Sequence, residues 1–160
     1  MRLIVDIAQQ SLTLLQQQQV LAQYAISTAS KGAGQLKNSA CTPLGEHIIR
    51  AKIGAHAPLN AVFVGRRWTG EIFSAELQQA QPQRDWILTR ILWLSGTQVG
   101  VNRLGQVDTM QRYIYIHGTP DSEPMGVPRS HGCIRMRNQD VMQLFDLVPV
   151  GTPVNILASS

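Results

Sequence analysis

Hydrophobic and polar positions alternate at both ends of the chain and give way to dense Gly and Pro punctuation between them. Arg2–Ile7 and Ser11–Leu15 show the near-alternation of a strand, a short turn and a returning strand. Val20–Ser27 resumes the pattern, which makes the polar run Gln16–Gln19 the tip of a second hairpin. From residue 30 to 60, Gly32, Gly34, Pro43, Gly45, Gly54 and Pro58 predict loops and short strands. Ala61–Val64 and Trp86–Leu94 are the strand-like runs of the middle, and Ser74–Gln79 between them fits one helical turn stopped before Pro82. Arg112–His117, rich in aromatic and β-branched residues, predicts a strand that His117 closes. One helix is expected near the end. Asn138 suits its N-cap, Asp140 its first turn, and Val141, Leu144, Phe145 and Val148 its buried face, with Pro149 and Gly151 ending it. Pro153–Leu157 then reads as a closing strand. No segment repeats and no boundary invites a division, so residues 1–160 are expected to form one mainly β domain.

Composition narrows the class without naming it. A chain of 160 residues, 44% hydrophobic and 15% charged, can bury about 70% of its unfolded surface and needs no disulfide staples. Cys41 and Cys133 form no Cys-x-x-Cys pair, and no apolar run approaches the roughly 20 residues of a membrane span, so no membrane partner is expected. Leu3-Ile4-Val5 is interrupted by Asp6, short of the roughly 7–15 apolar residues at the centre of a secretory leader. A cytoplasmic location with reduced thiols is the expectation from this start, and a periplasmic one if the chain is a piece of a longer, exported protein. The net charge of +4 admits an acidic small substrate. Its arginines are scattered, without a basic stripe interleaved with aromatics, and nucleic acid is not an expected partner.

The chemistry concentrates in two short runs, Ile116-His117-Gly118-Thr119 and Ser130-His131-Gly132-Cys133-Ile134-Arg135-Met136. Pro120, Pro124, Gly126 and Pro128 make the intervening chain a loop able to fold Cys133 back beside His117. A free thiol is only a few per cent ionised at neutral pH, so a nucleophilic cysteine needs an imidazole to take its proton. A third group on the other ring nitrogen fixes the tautomer, and the Gly118 carbonyl is the candidate because no carboxylate is obviously placed for it. Gly132 lets the backbone approach a substrate closely, and the Gly132 and Cys133 amides are candidate oxyanion donors.

These residues match a family. His-Gly, a loop, then Ser-His-Gly-Cys resembles the catalytic signature of the YkuD-type L,D-transpeptidases, and the resemblance extends to Thr42-Pro43-Leu44-Gly45 with Ile48 and Lys52, and to Val5-Asp6-Ile7, Gln10 and Leu12 in the opening strands. It implies a YkuD-like β-sandwich of mixed sheets with one short helix after the catalytic cysteine. Cys133 becomes the nucleophile, His117 its base and the Gly118 carbonyl the orienter. His131, Gly132 and Ser130 become accessory residues that shape the turn and the oxyanion site, and Arg135 and Tyr115 contact substrate, Arg135 through a carboxylate. No cofactor or metal is implied. The 12 residues between His117 and Ser130 are slightly fewer than the family usually carries, which implies a trimmed lid. The implied substrate is a murein tetrapeptide or muropeptide, cleaved between meso-diaminopimelate and the terminal D-alanine through a thioester. Water as acceptor makes an L,D-carboxypeptidase of peptidoglycan recycling, the expected activity; an amine of a second stem makes an L,D-transpeptidase.

Two readings of another class stand beside this one. His117, Asp121, His131 and Cys133 could together ligate zinc in a non-catalytic binder, although their spacing is irregular and a metal site has no need of the glycine in Ser-His-Gly-Cys. A peptidoglycan-binding module that has lost activity is the other, and the intact His/Cys pair speaks against it. Outside the motif, Cys41 is expected to be a structural thiol, His47 and His56 ordinary core or surface residues, and Trp86 and Trp93 packing residues.

Overall fold

The computed structural model describes residues 1–160. Ten strands and two helices follow in the order β1 (Arg2–Asp6), β2 (Ser11–Gln16), β3 (Gln19–Ser27), β4 (Gly45–Ile53), β5 (Ala61–Val64), β6 (Arg67–Ile72), α1 (Ala75–Ala80), β7 (Ile87–Gly96), β8 (Tyr115–Thr119), β9 (Ile134–Arg137), α2 (Asn138–Leu147) and β10 (Pro153–Leu157). Hydrogen bonds run in the order β4-β10-β1-β2-β3-β9-β8-β7, and β7 pairs back onto β4, closing the circuit. β1–β10 and β8–β9 are parallel and the other pairs antiparallel, so the sheet is mixed, as expected. The β5–β6 hairpin hangs off the first residues of β7, where Val62 pairs with Leu88 and Phe63 with Ile87.

Alternation along the strands sorts side chains onto two faces. Leu3, Val5, Leu12, Leu14, Ile26, Leu92, Leu94, Ile116, Ile134 and Met136 point into one cluster of 19 buried residues. α2 contributes Val141, Leu144 and Phe145 to it. Each fully buried aliphatic side chain contributes about 1.5–3 kcal/mol. The intervening positions of β7, β8 and β9 face outward, beneath the β5–β6 hairpin. There Ala61, Phe63, Ile91 and Tyr115 form a small second cluster against which Trp93 and Cys133 pack.

Several expectations need correction. Residues 45–53 form a nine-residue strand, β4, because Gly45 and Gly54 bracket the segment instead of interrupting it. β6 carries no sequence signal because it is an edge strand of mostly exposed residues, with no buried face to impose alternation. The strand expected at Arg112–His117 starts only at Tyr115 and runs through Thr119, so His117 lies mid-strand; Tyr113, with φ +56, sits in a turn that breaks it. Cys133 precedes a four-residue strand, β9, and the helix follows that strand. Asn138 is the first residue of α2 and caps nothing: Arg137 occupies the N-cap, and the Asn138 side chain turns toward β8. The helical turn at α1 is present, capped by Ser74 Oγ accepting from the Leu77 amide at 3.1 Å.

Candidate active site

β8 and β9 run parallel with Ile116 opposite Ile134 and His117 opposite Arg135. Ile116, Ile134 and Met136 face the core, so the alternate residues Tyr115, His117, Cys133 and Arg135 share the outer face. All four line one cleft of about 500 Å³, with Gly65, Arg66, Asp85, Ile87, Arg112, Tyr113, Ile114, Ser130 and His131 completing its walls.

The His117 ring is 1% exposed, and its Nδ1 lies 2.6 Å from the Gly118 carbonyl oxygen. A carbonyl can only accept, so Nδ1 carries the proton, and Nε2 of the neutral ring is left as a base. Burial pushes the imidazole below its ordinary pKa, against the opposing pull of that carbonyl. Cys133 is half-buried. Its Sγ accepts from the Tyr115 amide at 3.4 Å and donates to the Tyr113 carbonyl at 3.5 Å. Burial pushes the thiol up to about 12; the Tyr115 amide pulls it back, Asp85 pushes it further up, and Arg135 and Arg112 lower it. Both shifts favour the uncharged form, so the resting pair is thiol and neutral imidazole.

The turn before Cys133 is braced from inside and outside. Ser130 Oγ donates to the Cys133 carbonyl at 2.5 Å and accepts from the Gly132 amide at 3.2 Å. Gly132 has φ +130, a conformation that strains any other residue, and a Cβ there would press on the Cys41 carbonyl oxygen at 3.2 Å and Ile114 Cδ1 at 3.3 Å. Thr42 Oγ1 accepts from the Ala29 amide at 3.0 Å and donates to the Gly132 carbonyl at 2.9 Å. The threonine of the Thr-Pro-Leu-Gly segment thereby ties the nucleophile turn to the neighbouring loop.

The far end of β8 is held as tightly. A bulge in β7 puts Thr89 at φ +74, and Thr89 Oγ1 donates to Asn138 Oδ1 at 2.7 Å. Asn138 Nδ2 donates to the Thr119 carbonyl at 2.9 Å and to Asn60 Oδ1 at 3.0 Å. Gly118 is wedged between these groups. A Cβ on it would collide with Asn138 Oδ1 and come within 2.6 Å of the Leu88 carbonyl oxygen. Asn138 and Thr89 carry no catalytic motif signature, and only their contacts reveal their part in holding the His117 strand.

The remaining expected residues fall into place differently. Arg135 is 8% exposed, with Nη2 3.4 Å from Asp85 and Nη1 3.9 Å from Glu123; its Nε is buried without a partner. It faces the cleft already paired with two carboxylates. His131 is exposed at the cleft rim, 3.9 Å from Asp85. The Tyr115 ring is buried, and its hydroxyl accepts from Arg66 Nη1 at 3.1 Å. The four residues considered as zinc ligands are not gathered. Asp121 lies in a separate cleft with Asn138, and no three His, Cys, Asp or Glu side chains come together in a metal-binding group. His47 is a buried core histidine, between the Gly45 carbonyl and Thr109 Oγ1 at 2.9 Å each.

Sequence reasoning missed two cleft arginines. Arg112 Nη2 donates to the Cys41 carbonyl at 2.7 Å and to Ser39 Oγ at 3.3 Å, and Nη1 to the Gly34 and Gln35 carbonyls at 3.2 Å each, fastening the 34–41 loop beside the nucleophile turn. Arg66 sits at the β5–β6 tip. Neither position breaks a pattern in the sequence; only the pairing of strands brings them to Cys133.

Comparison with known proteins places the chain among relatives and shared folds. Over 46 residues the chain is 52% identical to the "Probable L,D-transpeptidase ErfK/SrfK" of Escherichia coli strain K12, a stretch covering 29% of this chain and 15% of that protein. The "Probable L,D-transpeptidase YbiS" of the same strain is 48% identical over 46 residues, with the same coverage. The chain thus aligns with only a small part of these curated relatives. Among solved structures, an L,D-transpeptidase from Mycobacterium smegmatis superposes with a TM-score of 0.58 at 21% identity, covering 98% of this chain and 58% of that one. The L,D-transpeptidase LdtMt1 in complex with imipenem superposes with a TM-score of 0.56 at 19% identity, covering 97% and 57%. At these identities the likeness establishes the fold. Residues 1–156 match the profile of the YkuD family, described as the L,D-transpeptidase catalytic domain, and the chain belongs to that family.

Proposed function

We propose that this chain is a cysteine acyltransferase that opens the L,D bond of a murein tetrapeptide, between meso-diaminopimelate and the terminal D-alanine. The observation that carries this reading is the placement of His117 on β8 and Cys133 directly before the parallel strand β9, both lining one cleft, with Nδ1 of His117 committed to the Gly118 carbonyl. His117 Nε2 takes the Cys133 proton as the sulfur attacks the scissile carbonyl, and the Cys133 amide faces the oxyanion. The Gly132 amide is already engaged by Ser130 Oγ, so it supports the turn in preference to the oxyanion. The tetrahedral intermediate collapses as His117 returns the proton to the leaving D-alanine amine, and a thioester remains on Cys133.

Water, activated by the same imidazole, then releases a tripeptide, making the protein an L,D-carboxypeptidase acting in wall-peptide recycling. The open mouth of the cleft, with His131 exposed at its rim, supports access for water. A second reading, L,D-transpeptidation, draws support from family membership and from a second cleft beside the first. Lys37, Asn38, Ala40 and Gln111 line it, and it shares Arg112, Tyr113, Ile114 and His131 with the first, room for an acceptor stem. Incubation with a disaccharide tetrapeptide, with and without an acceptor amine, separates the two. Tripeptide in both arms supports hydrolysis, and an exchanged or crosslinked product supports transpeptidation. No conversion in either arm rejects the acyltransferase reading.

A further inference from the structure

Three guanidinium groups line the cleft, and two are already committed. Arg112 spends its donors on three backbone carbonyls and Ser39 Oγ. Arg135 is paired with Asp85 and Glu123. Arg66 differs: its one hydrogen bond goes to the neutral Tyr115 hydroxyl, and none of the ion pairs in the protein includes it. Its Cζ lies 4.9 Å from the ring centroid of Trp93 and 4.9 Å from that of Tyr113. These contacts hold the guanidinium beside aromatic rings, and with one hydrogen bond made it keeps further N–H donors for a partner.

Backbone geometry points the same way. Gly65 and Arg66 both have positive φ, +57° and +64°, in the two-residue turn joining β5 to β6, and Tyr113 across the cleft has φ +56. Positive φ at Gly65 and Arg66 is the usual geometry of a two-residue hairpin turn, and it carries Arg66 out over the cleft into contact with the Tyr113 ring. Tyr115 links this place to the nucleophile: its amide holds Cys133 Sγ at 3.4 Å and its hydroxyl holds Arg66 at 3.1 Å. One tyrosine therefore spans the distance from sulfur to guanidinium, a reach suited to a charged group on a residue flanking the scissile bond.

We propose that Arg66 is a specificity-determining residue that binds a carboxylate of the peptide substrate through its free guanidinium edge. The assignment rests on the L,D-cleaving reading above, whose substrate offers two such carboxylates: the C-terminus of the leaving residue and the second carboxylate of diaminopimelate. A planar fork of donors held in place by its aromatic neighbours suits bidentate pairing with either.

Steady-state kinetics with three peptides tests this: the free-acid tetrapeptide, its C-terminal carboxamide, and the analogue with the second diaminopimelate carboxylate amidated. For the parent, one amidation is expected to lower kcat/KM by about tenfold or more. In Arg66→Gln the free-acid peptide falls to that lower level and the same amidation costs nothing further; Arg66→Lys, which keeps charge without the fork, recovers part of the difference. Thermal unfolding of each variant verifies that the fold is retained. Equal turnover of all three peptides by the parent, or an amidation penalty that persists in Arg66→Gln, overturns the assignment of Arg66 and leaves the proposed function standing. Failure of the parent to turn over any of the three overturns the proposed function, and this assignment with it.

Discussion

Burial pushes Cys133 and His117 toward their uncharged forms in opposite directions, the thiol upward and the imidazole downward. In the proposed mechanism such a pair serves as general base and protonated nucleophile, with proton transfer accompanying attack instead of preceding it. Iodoacetamide labelling of Cys133 should therefore accelerate about tenfold per pH unit between roughly pH 8 and 10 without levelling off, because a thiol near 12 stays mostly protonated throughout. A plateau below pH 8, read by mass spectrometry of the labelled peptide, would indicate a preformed thiolate and contradict this picture. Cys133→Ala should lose all turnover. His117→Ala should lower kcat/KM by about 10²–10⁴-fold, measured as tripeptide release.

At the scale of elements, the site depends on how closely β8 can lie against β7 and α2. Gly118→Ala forces a Cβ against the Leu88 carbonyl, which is backbone, and against Asn138 Oδ1, whose amide is pinned by Thr89 and Thr119. Chemical denaturation should show a loss of about 1–3 kcal/mol, the usual cost of overpacking, with activity falling as His117 shifts. Unchanged stability would mean that the bulge at Thr89 yields more easily than its contacts suggest. The nucleophile run and the terminal hairpins are legible in the sequence because a short motif and a clean alternation each sit within a few residues. β9 is not, since the four residues Ile134–Arg137 read as the tail of the motif and not as a strand. Asn138 looks like a cap because its type favours that role, but its partners lie on β8 and the 60s turn, far away in sequence. Arg66, Arg112 and Thr89 share that difficulty: their significance comes from strand pairing, which local pattern does not encode.

For the whole molecule, the buried histidines couple stability to pH. His47 is 1% exposed, and burial lowers its pKa to about 4 from an ordinary 6.5. The unfolded chain takes up that proton below pH 6.5 while the folded chain refuses it until about pH 4, so stability present above 6.5 is lost on acidification across that window. The shift corresponds to about 3 kcal/mol. His117 adds to the loss in the same direction, and the gap between parent and His47→Gln in denaturation curves at about pH 7 and about pH 4.5 isolates the His47 share. A variant as acid-sensitive as the parent would argue against a buried neutral ring at 47. In the cleft, meanwhile, Arg135 is balanced by Asp85 and Glu123, and Arg66, lining the same cleft, has no carboxylate partner. The proposed function turns on a covalent bond at one sulfur. Rapid quenching of the protein with a murein tetrapeptide, followed by intact-mass and peptide-level mass spectrometry, observes that bond directly. The expected result is a single adduct equal to the stem lacking its terminal D-alanine, located on Cys133 and absent from Cys133→Ala; tripeptide formed with no adduct, or an adduct that survives in Cys133→Ala, would contradict it.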